Sequence, residues 1–341
     1  VSVPRRAPSE RRALLGALAG LVALVLAAGL VTHLPRWLAG DDPVAEGVGR
    51  PGAAPGAGPG PGGGRGDRRT PEQVRAANAA TLLPNGTRRV FGADDFLVAY
   101  YGTAQTPALG VLGEGAPEQV RERLDAAARP FARRGSPVQP VYELIVTIAD
   151  AGPGDDGDYA HDVPRAEVER WVAAAHRHDA LLLLDLQPGR TGFLDTARRW
   201  EWALREPHVG LALDPEWRMG RREVPGQVIG SVGAREVDRT SAWLAGLVRR
   251  WELPQKLFVL HQFRTDMVRD LAAVTSRREL ATVQHVDGFG APREKLATYR
   301  AVVRPQQFRR GFKLFYDEDV DLMGPREVHA IRPAVRFVSY Q

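Results

Sequence analysis

Eight short β-like runs recur between residues 96 and 340, and each except the last is followed by a stretch of helix length. The runs are 96–101, 141–148, 180–186, 209–213, 256–261, 281–286, 312–316 and 335–340. Each is apolar and in part β-branched or aromatic, as strands of a parallel sheet buried on both faces require. The segments 118–131, 164–177, 194–204, 234–251, 264–272, 292–302 and 325–330 read as amphipathic helices between them. Parallel neighbours need such crossovers, and the crossovers are right-handed.

Eight strands in about 270 residues suit an α/β fold closed into a (β/α)₈ or TIM barrel. An open doubly wound sheet would ordinarily show a glycine-rich phosphate loop after its first strand. Here that place reads Tyr101-Gly102-Thr103-Ala104-Gln105-Thr106, with neither the dinucleotide fingerprint nor a Walker lysine. The eighth strand is followed only by Gln341, so the expected barrel lacks a standard final helix. A helix over 72–82, started by Thr70-Pro71-Glu72, is expected to cover the groove between helices one and seven or to cap the barrel floor.

The first seventy residues have a different character. Residues 1–12 form a basic head, where Arg5, Arg6, Arg11 and Arg12 face only Glu10. The stretch 13–31 is uncharged and apolar apart from glycines. About 20 such residues cross a bilayer as a helix. Basic flanks stay in the cytoplasm, so 13–34 reads as a signal anchor with the C-terminal domain extracellular, or as a signal peptide whose cleavage would secrete that domain. The 35–70 segment is a Pro/Gly-rich linker, too poor in side chains to form a core. The domain then occupies 71–341. The whole chain carries 46 Lys and Arg against 41 Asp and Glu, and much of that excess sits in the head; the remainder is nearly balanced, which gives no footprint for nucleic acid. With no cysteine, thiolate catalysis and disulfides are excluded.

A barrel places its chemistry at the C-terminal ends of its strands. Strand four ends in Leu213-Asp214-Pro215-Glu216-Trp217. On extended backbone Asp214 and Glu216 point the same way, and mutual repulsion raises the pKa of one, leaving an acid able to protonate a leaving group. Strand three ends in Asp185-Leu186-Gln187, with Asp185 interrupting a leucine run; a functional role and a structural ion pair both fit. Strand five ends in His261 and strand six in His285-Val286-Asp287, two residues apart on one face. Strand seven ends in Tyr316-Asp317-Glu318-Asp319, where Glu318 is a candidate nucleophile opposite Glu216. Tyr101, Trp217 and Tyr340 add flat rings of the kind that pack on sugar faces.

On these residues the 95–341 segment resembles the glycoside hydrolase type of TIM barrel. Leu213-Asp214-Pro215-Glu216 is similar to the end of the Asp-x-Asp-x-Glu motif on strand four of chitinase-like barrels, with Ala212 in place of the first acid. The chain is also similar to retaining barrels with glutamates after strands four and seven, here Glu216 and Glu318, with Pro215 where asparagine stands in that pattern. Its Ala-, Arg-, Gly- and Pro-rich composition resembles that of high-G+C bacterial envelope proteins.

The resemblance implies a membrane-anchored extracellular glycosidase without cofactor or metal, acting on an envelope or extracellular glycan and held to the bilayer through 13–31. Asp214, Glu216, Asp287 and Glu318 would be catalytic. Tyr101, Asp185, Gln187, Trp217, His261, His285, Asp317 and Tyr340 would bind substrate. Two other classes remain open at this stage. One is a metal-dependent hydrolase using His261, His285, Asp287 and Asp214. The other is a non-catalytic glycan-binding barrel.

Overall fold

The computed structural model describes residues 69–341 apart from 93, 105 and 134–137. Pro71–Gln341 separates from the preceding residues as a compact unit of its own, and the barrel lies wholly in it. Its strands are β1 Phe96–Gly102, β2 Val138–Ala149, β3 Leu181–Leu186, β4 Val209–Leu213, β5 Lys256–His261, β6 Leu280–Val286, β7 Arg309–Leu314 and β8 Phe337–Tyr340. They pair in chain order from β1 to β8, and β8 pairs with β1 to close the ring. Every barrel pairing is parallel. This is a TIM-barrel-like fold.

The helices are α1 Pro71–Ala80, α2 Pro117–Ala128, α3 Arg165–Arg177, α4 Phe193–Arg199, α5 Glu201–Leu204, α6 Ala234–Trp251, α7 Pro292–Val302 and α8 Pro325–Ala330. Proline opens α2, α7 and α8, where its missing N–H costs nothing. Two of the expected helices differ. The 194–204 segment breaks at Trp200, whose indole turns inward to donate to Thr147 Oγ1 at 3.0 Å. The 264–272 segment is not a helix. It holds the short strand Val268–Arg269, paired with Val232–Gly233, and a 3₁₀ turn at Leu271–Ala273. Asp270 takes a left-handed conformation there (φ 55°), which ends any right-handed helix.

The single-pass membrane topology needs correction. Among the described residues no helix is long and apolar enough to cross a membrane. The Ala13–Val31 span itself lies outside the described residues. The structure therefore lends no support to a transmembrane helix, to a bilayer partner or to an extracellular, membrane-held location, and none of these enters the functional reading.

The barrel floor is also closed differently from expectation. Helix α1 buries none of its residues. It lies against α6 through Asn78 Nδ2, which donates to the Trp251 carbonyl at 2.8 Å. The plug is the chain after it. Leu83, Val90 and Phe91 form one apolar cluster with Leu97, Leu181, Leu257, Ala281 and Phe337 from the lower interior of the barrel. We expect Phe91→Ala to lower the unfolding free energy by about 3–5 kcal/mol, the usual cost of emptying a buried aromatic site. Deleting α1, which removes mainly hydrogen bonds, should cost only about 1–2 kcal/mol. Urea denaturation of the full chain compares the two, and the reverse ranking would reject the plug.

Candidate active site

Alternation of side chains along each strand sends every second residue into the barrel. The inward series changes character part-way up. Its lower members are apolar: Leu97 and Ala99 on β1, Val141 on β2, Leu181 and Leu183 on β3, Ala212 on β4, Leu257 and Val259 on β5, Ala281 and Val283 on β6, Phe337 on β8. Two residues further on, the same series reads Tyr101, Glu143, Asp185, Asp214, His261, His285 and Ser339, and Gly311 on β7 is followed by Lys313. All these upper polar residues are buried. The apolar half is the core that holds the polar half in place.

His261 stands at the centre. Its Nε2 is 3.0 Å from Glu143 Oε1 and its Nδ1 is 3.0 Å from Asp287 Oδ2. Asp185 Oδ1 lies 3.9 Å from the same Nε2. Burial alone would lower the imidazole pKa, but hydrogen bonds to Asp287 and Glu143 and their charges outweigh it and hold it well above its ordinary value. His261 is thus an imidazolium donating from both nitrogens. It has no lone pair left for a proton or a metal.

Tyr101 donates its hydroxyl to Asp185 Oδ2 at 2.9 Å and receives a hydrogen bond from Gln187 Nε2 at 3.3 Å. The Lys313 ammonium sits 3.4 Å from the centre of the Tyr101 ring, a cation–π contact inside the barrel. Against the cations His261 and Lys313 stand Glu143, Asp185, Asp214, Glu216 and Asp287, more carboxyls than two charges can balance. The surplus is relieved by protons. Burial, then the charge of neighbouring Glu143, raises Asp185 to about 6 against the opposing pull of His261. Burial first and Asp185 next push Asp214 well above the carboxylate range. Burial and then Asp287 raise Glu216 to about 7, against the pull of Lys313 and His261.

Asp214 and Glu216 meet the cluster by a route the extended-strand argument does not describe. Pro215–Trp217 is a 3₁₀ turn, and Asp214 caps it by accepting the Glu216 N–H at 3.3 Å. The turn, initiated by Pro215, leaves Glu216 half-buried at the mouth while Asp214 remains buried beneath it.

His285 is neutral. Burial and the charges of His261, Lys313 and Lys295 hold its pKa well below the usual histidine value. Its Nε2 is 3.2 Å from Ser339 Oγ and its ring is 5.1 Å from that of His261. Gly311 makes the space: a Cβ there would come within 2.3 Å of His285 Cδ2. Several oxygens in the cluster stay without a hydrogen-bond partner among the described residues, namely Asp287 Oδ1, Asp185 Oδ1 and Glu143 Oε2.

Of the residues expected at the site, Tyr101, Asp185, Gln187, Asp214, Glu216, His261, His285 and Asp287 come together. Others do not. Trp217 is half-buried in the 3₁₀ turn. Asp317 is exposed, and the charges that act on half-buried Glu318 are Asp317, Asp319 and Lys313, with Glu216 not among them. Burial raises the Glu318 pKa. Asp319, the third acid of that run, is structural: it accepts from Lys295 Nζ at 2.6 Å and from the backbone N–H groups of Gly290 and Phe315. Tyr340 faces the outer layer, stacked on Tyr316 at 5.0 Å and packed edge-on against Phe131.

Glu143, Lys313 and Ser339 complete the cluster without having been candidates for catalysis or binding. Glu143 carried a signal, because it interrupts Val141-Tyr142-Glu143-Leu144-Ile145 as Asp185 interrupts the leucines of β3.

Two functional expectations need correction here. Among the described residues no group of three or more His, Cys, Asp or Glu side chains could hold a metal ion. Both nitrogens of His261 are spent on carboxylates, so the metal-dependent hydrolase is withdrawn. No glycan partner is shown, and the aromatic platform on which the non-catalytic binding barrel depended does not form, since Tyr340 packs into the outer layer and Tyr101 is closed over by Lys313 and Asp185. What stands is a TIM barrel with a buried acidic and histidine cluster of the kind an enzyme active site requires. No protein-family model matches the chain, and no curated protein matches it. No specific glycoside hydrolase family and no cell-envelope role is shown.

Proposed function

We propose that the barrel is a hydrolase that works by carboxylic acid–base chemistry of the glycoside hydrolase type. The observation that carries this reading is a carboxyl at the mouth, Glu216, whose pKa of about 7 lets it hold a proton near neutrality, beside a second carboxyl, Asp287, pinned by an imidazolium. An acetal is cleaved when one group protonates the leaving oxygen and a carboxylate on the other side of the bond supplies the nucleophile or activates water.

Glu216 is the proton donor. Asp214, neutral and buried, holds the turn that carries it and keeps a second negative charge away. Asp287 uses Oδ2 to accept from His261 and leaves Oδ1 without a partner. That oxygen is the base or nucleophile. His261 orients it and cannot itself take a proton. Asp185, Tyr101 and Lys313 hold the remaining charge and fix the interior.

Full-length protein assayed on a panel of aryl glycosides tests the reading. Since Glu216 must be protonated, kcat/KM should fall about tenfold per pH unit above about 7. A rate that stays level from pH 6 to 9, or no turnover on any glycoside, would remove the proposal.

A further inference from the structure

At the opposite end of the barrel, a groove of about 410 Å³ opens beside the starts of β6 and β7 and the approach to β8. Arg309, Arg310 and Arg336 line it, together with Ser276, Thr282 and Gln306. The side chains of Ser276, Thr282 and Gln306 make no hydrogen bond among the described residues. Arg309 is half-buried, and its guanidinium makes neither a hydrogen bond nor an ion pair among the described residues and lies 5.1 Å from the centre of the Phe91 ring. Burial first, and then the charges of Arg336, Arg89 and Arg310, lower its pKa, and all three of these neighbours are cations. The Asp95 carboxylate, three residues from the groove-lining Gly92, accepts from Asn85 Nδ2 and from the Gly92 N–H.

A protein gains no stability by gathering like charges around a half-buried guanidinium. Arg310 donates to the Ala334 carbonyl and Arg336 to those of Asp95 and Gly92, so Arg309 is the guanidinium left for an incoming anion, whose charge would offset those of its cationic neighbours. Guanidinium groups bind phosphate oxygens through paired N–H bonds. Several guanidiniums with hydroxyl and amide groups around them match a tetrahedral group with three terminal oxygens. A single carboxylate offers only two, in one plane. The groove has room for more than a bare phosphate ion. We infer that this floor groove binds the phosphomonoester of a small organic molecule, at a site separate from the acid cluster at the mouth. The inference is independent of the chemistry proposed for that cluster.

Intact protein is titrated with glycerol 3-phosphate at pH 7.5, by calorimetry and thermal shift, with ionic strength held constant by NaCl. Saturable binding is expected, and at least tenfold weaker in Arg309→Gln. In phosphate-free buffer the Tm of Arg309→Gln should equal or exceed that of the wild type, because one of the crowded charges is gone. Arg309→Lys keeps the charge and the stem on Phe91 but loses the fork, and should bind at least threefold more weakly; it serves if the glutamine variant does not fold. A Tm that rises equally with NaCl, or wild-type affinity in the variants, would overturn the site. Equal or tighter binding of a glycerol phosphodiester would overturn the monoester assignment.

Discussion

Glu216→Gln is expected to reduce glycoside turnover by about 10²- to 10⁴-fold, the usual worth of a general acid. The amide keeps the shape of the side chain and cannot donate the proton. The loss should be large for substrates whose leaving group needs protonation and small for dinitrophenyl glycosides, which leave unaided. A uniform loss across leaving groups would mean that Glu216 positions the substrate without protonating it.

The same substitution has a second readout that does not depend on finding a substrate. Folding raises the Glu216 pKa from 4.5 to about 7. The folded carboxyl therefore resists ionisation, and the wild type loses stability as pH rises from about 4.5 to about 7. Glutamine carries no such penalty. Glu216→Gln should match the wild type at pH 4 and be more stable at pH 8 by about 1–3 kcal/mol, the figure being held down because this side chain is partly solvated. Equal denaturation midpoints at pH 8 would show that the carboxyl is not strained by its surroundings.

His261→Asn is expected to be the most damaging single change in the cluster, at about 3–5 kcal/mol. The imidazolium holds both Glu143 and Asp287 at 3.0 Å, and asparagine leaves those buried carboxyls without a cation between them. The sign of the pH dependence follows from the raised imidazole pKa. Its stabilising contribution is fully present below about pH 6.5, the unfolded value, and is lost as pH rises through the folded one. The gap between wild type and variant should be widest at pH 6 and narrow at alkaline pH. Urea unfolding at both extremes measures it. Adding Glu143→Gln should recover part of the loss, because one uncompensated charge disappears with it. A gap under about 1 kcal/mol at pH 6 would contradict an imidazolium between two carboxylates.

The apolar runs and their spacing determined the closed parallel barrel: β4 and β5 have the bounds read from the sequence, 209–213 and 256–261, because a strand buried on both faces is a local pattern with little competition. The period of two likewise placed Asp185, Asp214, His261 and His285 at the inner upper ends of their strands. Which of these residues meet is a matter of tertiary structure. The register of β2 against β1 and β3 brings Glu143 to His261 across 118 residues of sequence, and no local pattern encodes that pairing. The acidic run after β7 is ambiguous in sequence for the same reason. Only the packing of α7 decides that Asp319 receives Lys295 while Asp317 remains in solvent. Protonation is decided there too. A carboxyl's pKa depends on its burial and on the charges packed around it, so the sequence supplied the acids of this site, and the closed barrel determined which of them keep their protons.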